Sequence, residues 1–186
     1  MRLFVKKDSK KIKRLFEGPF ILALAFFLMF LVMGFFVLRA YYMGYVGNQT
    51  SLELSDGSKK TIPLDQTLFY KDRLVLVKDL LTSEKMLFVF WATWCDPCIE
   101  EIKSMPAKLK ALEAKGYQLV FVNYDGAQNK EKAESFISSF GMTTSFDPHQ
   151  QILSALGISA LPISLVVDKS GKISKILFGI LNEKEL

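Results

Sequence analysis

The chain has 186 residues, of which half are hydrophobic and 23% are charged, and it carries two cysteines. This composition suffices for the core of one ordinary domain with residues left over. The net charge of +5 comes entirely from residues 1–18, because residues 39–186 carry equal numbers of basic and acidic side chains. A neutral folded part excludes a basic surface for nucleic acid, although the sequence pI is near 9.1.

An uncharged run of 20 residues, 19–38, follows the basic segment. As a helix rising ~1.5 Å per residue it is long enough to cross ~30 Å of hydrocarbon, so we predict a transmembrane helix. A cleaved signal peptide is the competing interpretation, but its apolar region normally has only ~7 to 15 residues and ends at a small-residue site. The residues around Ala40 make a poor cleavage site. By the positive-inside rule, residues 1–18 stay cytoplasmic and the rest is exported.

Residues 39–49 are predicted to be a linker, and residues 50–186 a folded α/β domain. A β-hairpin is predicted at its start, because residues 52–62 alternate in polarity around an Asp-Gly turn. Apolar runs predict further strands, and glycines mark the ends of helical patterns. The strands are expected at 73–77, 86–91, 119–123, 163–167 and 172–178, with 73–77 alternatively a covering segment and the last two joined by a hairpin turn at 168–171. The helices are expected at 95–115, 130–140 and 150–156. Strands alternating with helices predict a mixed sheet flanked by helices.

Both cysteines lie at the start of the predicted helix 95–115, shortly after the predicted strand 86–91. Cys95 falls at the helix N-terminus, where unpaired N–H groups and the helix dipole favour a thiolate, and Cys98 lies one turn further on. This spacing predicts that Cys95 attacks a partner disulfide and that the more buried Cys98 then releases the reduced partner. Asp96 opposes thiolate formation at Cys95, which predicts a reductant and not an oxidant.

Three other uses of the cysteine pair are disfavoured. A purely structural disulfide explains little, because closing so small a loop removes little chain entropy. A structural zinc site needs four ligands, and the chain offers only these two cysteines and His149. Covalent haem attachment needs a histidine where Ile99 stands. We therefore predict no metal and no cofactor other than the redox-active Cys95–Cys98 disulfide.

Two segments carry a family resemblance. The string Phe90–Cys98 and the later string Gly157–Pro162, followed by Leu165–Ile173, resemble the membrane-anchored TlpA/ResA-like branch of the thioredoxin superfamily. The resemblance covers about half of the exported part. It implies a thioredoxin-like fold and an extracytoplasmic thiol-disulfide oxidoreductase.

The resemblance also implies roles for particular residues. Glu101, three residues after Cys98, would help to move the proton of the buried cysteine. Pro162 would be cis and would present the main chain of Leu161 for strand-like pairing with a substrate segment. Trp94 directly precedes Cys95, and Pro97 lies between the two cysteines. The catalytic residues are thus expected to be Cys95, Cys98 and Glu101, and the substrate-contacting residues Trp94, Pro97, Leu161 and Pro162.

The resulting functional hypothesis is a reductase of exported protein disulfides, with cytochrome c maturation as one setting. The resemblance implies a single-pass protein of the bacterial inner membrane with a periplasmic domain, reduced by a membrane thiol carrier of the DsbD or CcdA kind. An anchored oxidase or isomerase remains an alternative. A non-catalytic binding module is the third reading, against which intact Cys95, Cys98 and Pro162 argue. A peroxiredoxin-like peroxidase is disfavoured because Thr93 precedes Cys95 by two positions and not three.

The TlpA/ResA-like branch usually ends in a full helix, for which residues 180–186 leave little room.

Overall fold

The computed structural model describes residues 22–40, 51–53 and 60–186. The chain divides into two units, residues 1–47 and 48–186. In the first unit, helix α1 (Leu22–Ala40) has a mean hydropathy of 2.4 and is long and apolar enough to cross a membrane. It covers most of the predicted span 19–38 and continues two residues beyond it. The predicted cytoplasmic segment 1–18 and linker residues 41–49 lie outside the described residues.

The second unit is built on one mixed β-sheet of eight strands within the described residues, in the order β1-β8-β7-β4-β5-β6-β2-β3. Among the described strands, only the β4–β5 and β5–β6 pairs are parallel. The strands are β1 (Ser51–Glu53), β2 (Thr67–Tyr70), β3 (Arg73–Leu76), β4 (Met86–Trp91), β5 (Gln118–Asn123), β6 (Thr144–Phe146), β7 (Ile163–Val167) and β8 (Ile173–Phe178). This is the thioredoxin-like mixed sheet that the sequence predicts.

Four helices complete the described part of this unit. They are α2 (Val77–Leu80), α3 (Asp96–Ala114), α4 (Lys130–Ser138) and α5 (Gln151–Ala155), and short 3₁₀ turns occur at Ala127–Asn129 and Glu183–Glu185. The predicted helices α3, α4 and α5 are confirmed, each somewhat shorter than expected because its final residues form a turn and because Cys95 and Gln150 are N-cap residues of α3 and α5. Gly116 follows α3 with φ at 84°, the left-handed conformation that commonly ends a helix.

The middle of the sheet positions the cysteines. Every residue of β4 is buried, and β4 pairs in parallel with β5 in a register that sets Phe88 opposite Val120. Parallel neighbours need a long crossover, which α3 provides. Buried apolar residues of α3, including Ile102, Met105 and Leu112, belong to the same core as β4. The N-terminus of α3 therefore begins just beyond the carboxyl end of the central strand.

The predicted hairpin at residues 52–62 differs from what the structure shows. Leu52 in β1 pairs with Ile176 of β8, Thr61 bridges to Lys172, and the Ile62 N–H donates to the Gly171 carbonyl at 2.9 Å. Both arms thus pair with β8 and the turn before it, so the hairpin prediction is wrong for the described residues. Alternating polarity indicates a half-buried strand but carries no information on its partner. The turn residues 54–59 lie outside the described residues.

A different hairpin lies nearby. Strands β2 and β3 are antiparallel neighbours joined by Lys71 and Asp72, whose φ angles are 44° and 59°. Two positive φ values in a two-residue loop match the twist of a hairpin, but neither residue is the glycine or asparagine that normally marks one. Residues 73–76 are confirmed as a strand, whereas Val77 begins α2. The three-residue strand β6 was not predicted, because so short a segment has no readable period.

The β7–β8 hairpin is confirmed, and its turn requires glycine. Gly171 has a φ of 86°, and a Cβ atom there would lie 2.7 Å from the Leu64 Cδ2 atom. The Asp168 Oδ1 atom accepts hydrogen bonds from the main-chain N–H groups of Ser170 at 2.8 Å and Lys172 at 3.0 Å. The turn is thus fixed by its own side chain and by close packing beneath it.

Candidate active site

The two cysteines form a disulfide at the start of α3. Cys95 is the N-cap residue with extended backbone, Asp96 is the first helical residue, and Pro97 lies in the first turn, where a proline ring is tolerated. The Cα atoms of the two cysteines lie 5.2 Å apart, and the Cys98 N–H donates to the Cys95 Sγ atom at 3.3 Å. The spacing therefore brings the sulfurs together at the helix end, as the sequence predicts.

The two cysteines differ in burial. Cys98 is fully buried, whereas Cys95 keeps 6% of its surface exposed. Cys98 is the more buried of the two, as predicted, but Cys95 is also buried and does not have the exposure expected of a residue at a helix end. The neighbouring Trp94 is 64% exposed, while Trp91 is buried and donates from its ring nitrogen to the Thr144 hydroxyl at 3.1 Å. Trp91 therefore belongs to the core, and Trp94 offers an aromatic surface beside the sulfurs.

A buried carboxyl group lies one helical turn beyond Cys98. Glu101 is completely buried, its Oε1 atom accepts the Leu181 N–H at 2.8 Å, and its Oε2 atom has no hydrogen-bond partner within the described part of the chain. Burial raises the pKa of Glu101 to about 7, and the Leu181 N–H and the positive charge of Lys108 partly oppose this rise. The Glu101 carboxyl can therefore take up or release a proton near neutral pH.

A second buried carboxylate, which the sequence analysis missed, holds the loop before the cysteines. The Asp125 Oδ2 atom accepts the Thr93 N–H and the Asn123 side-chain N–H, both at 2.9 Å, and the Asp125 N–H donates to the Asn123 Oδ1 atom. Asp125 is 1% exposed, and its Oδ1 atom has no partner among the described residues. One feature of the sequence could have suggested this role: Asp125 comes just after the carboxyl end of β5, which lies beside the carboxyl end of β4.

The proline loop has the predicted backbone form. The Leu161–Pro162 peptide bond is cis, as the family resemblance implied. Pro162 is buried and its carbonyl accepts the Gly179 N–H at 2.9 Å, while Leu161 is half-buried. Pro162 thus lies directly before β7, with Leu161 just ahead of it.

The chemical capacity of the site follows from these groups. Two sulfurs that open and close one bond can give or take two electrons, and a carboxyl with a pKa of about 7 can hold one of the accompanying protons. Within residues 22–40, 51–53 and 60–186, no group of three or more His, Cys, Asp or Glu side chains is arranged to hold a metal ion. The arrangement supports thiol-disulfide exchange.

Comparison with known proteins agrees with this geometry. The sequence profile of the AhpC/TSA family matches residues 59–176. The thiol-disulfide oxidoreductase ResA of Geobacillus thermodenitrificans is 32% identical over 99 residues, which cover 52% of this chain and 56% of that protein. ResA of Bacillus subtilis is 30% identical over 105 residues, covering 55% of this chain and 58% of the relative. The chain thus matches less than two thirds of the length of these curated relatives.

A solved structure supports the fold. The crystal structure assigned as thiol:disulfide interchange protein DsbE from Chlorobium tepidum superposes with a TM-score of 0.56 at 28% identity. The match covers 69% of this chain and 90% of that protein. The second unit therefore has a thioredoxin-like architecture.

Proposed function

The chain belongs to the AhpC/TSA family, and from that premise we propose that it is a thiol-disulfide oxidoreductase working through Cys95 and Cys98. The observation that carries the proposal is the disulfide at the N-terminus of α3, with its second sulfur fully buried and the buried carboxyl of Glu101 one turn away. The relatives named ResA carry the same activity in their names.

The proposed cycle starts from the reduced pair. The Cys95 thiolate attacks one sulfur of a substrate disulfide, a mixed disulfide forms, and the first substrate thiolate leaves. Cys98 loses its proton and attacks the Cys95 sulfur, which forms the Cys95–Cys98 disulfide and releases the second substrate thiolate. The substrate gains two electrons and takes up two protons in total, and the enzyme is oxidised by the same two electrons.

Glu101 is proposed as the proton acceptor for Cys98. A fully buried thiol has no water to receive its proton, so a nearby group with a matched pKa is needed. Burial gives Glu101 a pKa of about 7, between that of an ordinary carboxyl group and that of a free thiol. The same carboxyl returns the proton when the disulfide is reduced again.

Substrate contact is proposed for the surface around the sulfurs. Trp94 is largely exposed beside Cys95 and can pack on a substrate segment, while Pro97 shapes the first helical turn. Leu161, preceding the cis bond to Pro162, is proposed to pair its main chain with an extended substrate. The substrate class is therefore an extended protein segment that carries a cystine.

We favour the reducing direction. Asp96, in the first turn of α3, places a carboxylate next to Cys95, which disfavours the thiolate and hence the reduced form. Continued reduction then requires a dithiol donor, for which a membrane carrier of the DsbD or CcdA kind is the expected source. No cofactor beyond the cysteine pair takes part in this cycle. Cytochrome c maturation is one process that consumes reduced thiols of exported proteins.

Membrane anchoring belongs to the same proposal. Helix α1 is long and apolar enough to span a bilayer, and the whole excess of basic over acidic side chains lies in residues 1–18, before it. The positive-inside rule then keeps residues 1–18 cytoplasmic and exports the thioredoxin-like unit. In intact cells, a membrane-impermeant thiol reagent should label Cys95 after mild reduction; labelling only after lysis would contradict this topology.

The activity is tested on the whole chain purified in detergent. With dithiothreitol as donor, the wild type should accelerate insulin reduction, and Cys95→Ser should return the rate to the uncatalysed value. Cys98→Ala should accumulate client proteins linked to Cys95 in native membranes, since the second step is blocked. A wild type no faster than dithiothreitol alone would overturn the proposal.

Redox titration of the same preparation measures the reduction potential of the Cys95–Cys98 pair, which indicates whether the protein reduces or oxidises its substrates. A reductase should titrate nearer to the ~−270 mV of thioredoxin than to the ~−120 mV of DsbA. A value at the oxidising end would favour the oxidase or isomerase alternative.

A further inference from the structure

Residues 181–186, here called the Leu181 segment, contact the buried carboxyl of the proposed site. Leu181 is 2% exposed, and its main-chain N–H donates to the Glu101 Oε1 atom at 2.8 Å. This is the hydrogen bond that the Glu101 carboxyl accepts within the described residues, since its other oxygen has no partner there. The Leu181 segment therefore supplies the polar contact of a group that lies 80 residues earlier in the sequence.

The same helix that carries Glu101 also fixes the Leu181 segment. The Lys108 Nζ atom, two turns further along α3, donates to the Leu181 carbonyl at 2.7 Å. Lys115 donates to the Glu183 carbonyl at 2.5 Å. Leu181 is thus held at both main-chain groups by side chains of α3, its N–H by Glu101 and its C=O by Lys108.

The charges around Glu101 act in opposite directions. Burial disfavours the ionised carboxyl, whereas the Leu181 N–H and the Lys108 ammonium favour it. The Leu181 segment carries Glu183, Lys184 and Glu185, which are all at least partly exposed. Lys175 of β8 also reaches this segment, donating to the Glu185 carbonyl. Burial is the largest influence on the pKa of Glu101, and the two groups that oppose it are first the Leu181 N–H and then the Lys108 ammonium.

We propose that Leu181 is a positioning residue for Glu101: its N–H, fixed in place by Lys108, holds one carboxylate oxygen and keeps the carboxyl able to accept the Cys98 proton. The role assigned to the Cys98 proton rests on the function proposed above. The hydrogen bond itself and its effect on Glu101 do not depend on that function.

The consequence for the cycle is specific to its second step. Without the Leu181 N–H, the Glu101 carboxyl stays protonated to higher pH, because its ionised form loses its hydrogen-bond donor. A protonated Glu101 cannot accept the Cys98 proton, so resolution of the mixed disulfide should slow at neutral pH and recover in more alkaline solution.

The test removes the donor while keeping the rest of the chain. Leu181→Pro removes both the N–H and the buried leucine side chain. Leu181→Ala also removes that side chain but keeps the N–H, so it is the matched control. Lys108→Met removes the ammonium and its hold on the Leu181 carbonyl, and Lys103→Met on the same helix makes the same charge change at an exposed pair with Glu100. All variants are made in the whole chain, purified in detergent.

The primary measurement needs no activity. Infrared titration of the oxidised protein follows the protonated carboxyl band that Glu101→Gln abolishes. We expect the Glu101 midpoint to rise by about one pH unit in Leu181→Pro, a tenfold change in its protonation equilibrium, and to rise in Lys108→Met. Leu181→Ala and Lys103→Met should titrate close to the wild type.

The outcomes separate this inference from the proposed function. If Leu181→Pro titrates like Leu181→Ala, or if Lys108→Met titrates like Lys103→Met, the positioning role is overturned; the lysine pair decides alone if the proline variant does not fold. A wild type that fails to reduce insulin while these midpoints still move would overturn the proposed function and leave the positioning role standing. In an active enzyme, the pH dependence of mixed-disulfide resolution should move with the midpoint.

Discussion

The two faces of helix α3 give neighbouring residues opposite roles. Glu100 points outward, has a 64% exposed side chain, and pairs with Lys103 at 2.9 Å. Glu101 points inward, is completely buried, and contacts Leu181. Two identical side chains, adjacent in sequence, thus differ in solvent exposure and in hydrogen-bond partner. The difference teaches that helical phase, and not residue type, turns a glutamate of this helix into a proton-holding group.

The largest expected effect is on the pH dependence of stability. The folded-state pKa of Glu101 is raised from 4.5 to about 7, so the folded protein binds this proton more tightly than the unfolded chain. The associated stability is present below pH 4.5 and is lost as the pH rises through 7. Urea unfolding of the oxidised wild type should lose roughly 3 kcal/mol between pH 4.5 and pH 8 from this group.

Substituting a glutamate on each face of α3 isolates the contribution of Glu101 to the pH dependence of stability. Glu101→Gln should remove it and flatten the stability profile, whereas Glu100→Gln should leave it unchanged. Parallel profiles for wild type and Glu101→Gln would mean that the inner face holds no titrating proton in this range.

The next effect is kinetic. Glu101→Gln cannot accept a proton, so resolution of the mixed disulfide at pH 7 should slow about 100-fold, the low end of the range for a positioned general base. Rapid acid quenching and mass spectrometry of the Cys95-linked intermediate would measure this rate. Glu100→Gln provides the matched control and should stay within twofold of the wild type. Equal rates in the two variants would remove Glu101 from the mechanism.

Asp125 can be compared with the two glutamates of α3. It is buried like Glu101, but its side chain holds the loop before the cysteines through the Thr93 N–H. Asp125→Ala leaves the Thr93 N–H without its acceptor and should destabilise the fold by about 2 kcal/mol. Asp125→Asn retains one acceptor oxygen and should recover most of this loss. Hydrogen exchange of the Thr93 amide should accelerate in the alanine variant and much less in the asparagine variant.

Asp147 supplies a control for that experiment. Its two oxygens accept the N–H groups of Gln151 and Ile152 at the start of α5 and not the Thr93 N–H. Asp147→Ala should lose comparable stability without changing Thr93 exchange. Faster exchange at Thr93 in both variants would show that global opening, and not the Asp125 contact, controls the loop.

The smallest effect is expected on the outer face. Lys103→Met breaks an exposed ion pair between residues three positions apart on a helix, which should change stability by less than about 0.5 kcal/mol. The measurement is urea unfolding at low salt. A loss above about 1 kcal/mol would contradict the view that the outer face of α3 contributes little.

Much of the central fold could be predicted because its signals are local. The uniformly apolar run at β4, the helical pattern of α3 and the glycine at position 116 each mark one element without reference to the rest. Partner choice is not local, which is why the alternating residues 52–62 suggested a hairpin while both arms pair with β8. The β2–β3 turn escaped prediction because Lys71 and Asp72 adopt positive φ without the Asn-Gly or Asp-Gly pair that normally marks such a turn.

The residues of the site also fall into two groups, those that local sequence features identify and those that depend on distant contacts. The cysteine spacing and its place before a helix identified the sulfurs, and the resemblance supplied Glu101 and the cis bond before Pro162. Asp125 and Leu181 were missed, because their importance comes from hydrogen bonds to residues 32 and 80 positions away. A residue pattern over a short stretch of sequence does not indicate hydrogen bonds between residues so far apart in the chain.

By itself the sequence determined the apolar N-terminal helix, the order of strands and helices around the cysteines, and the two sulfurs at a helix start, since these follow from hydrophobic period, charge and spacing. Only the tertiary structure decided that Glu101 is buried and Glu100 is not, that the Leu181 N–H meets that carboxyl, and that the first strand joins β8. Burial and pairing depend on distant parts of the chain packing together, and the removal of water at that moment changes the proton affinity of an otherwise ordinary glutamate.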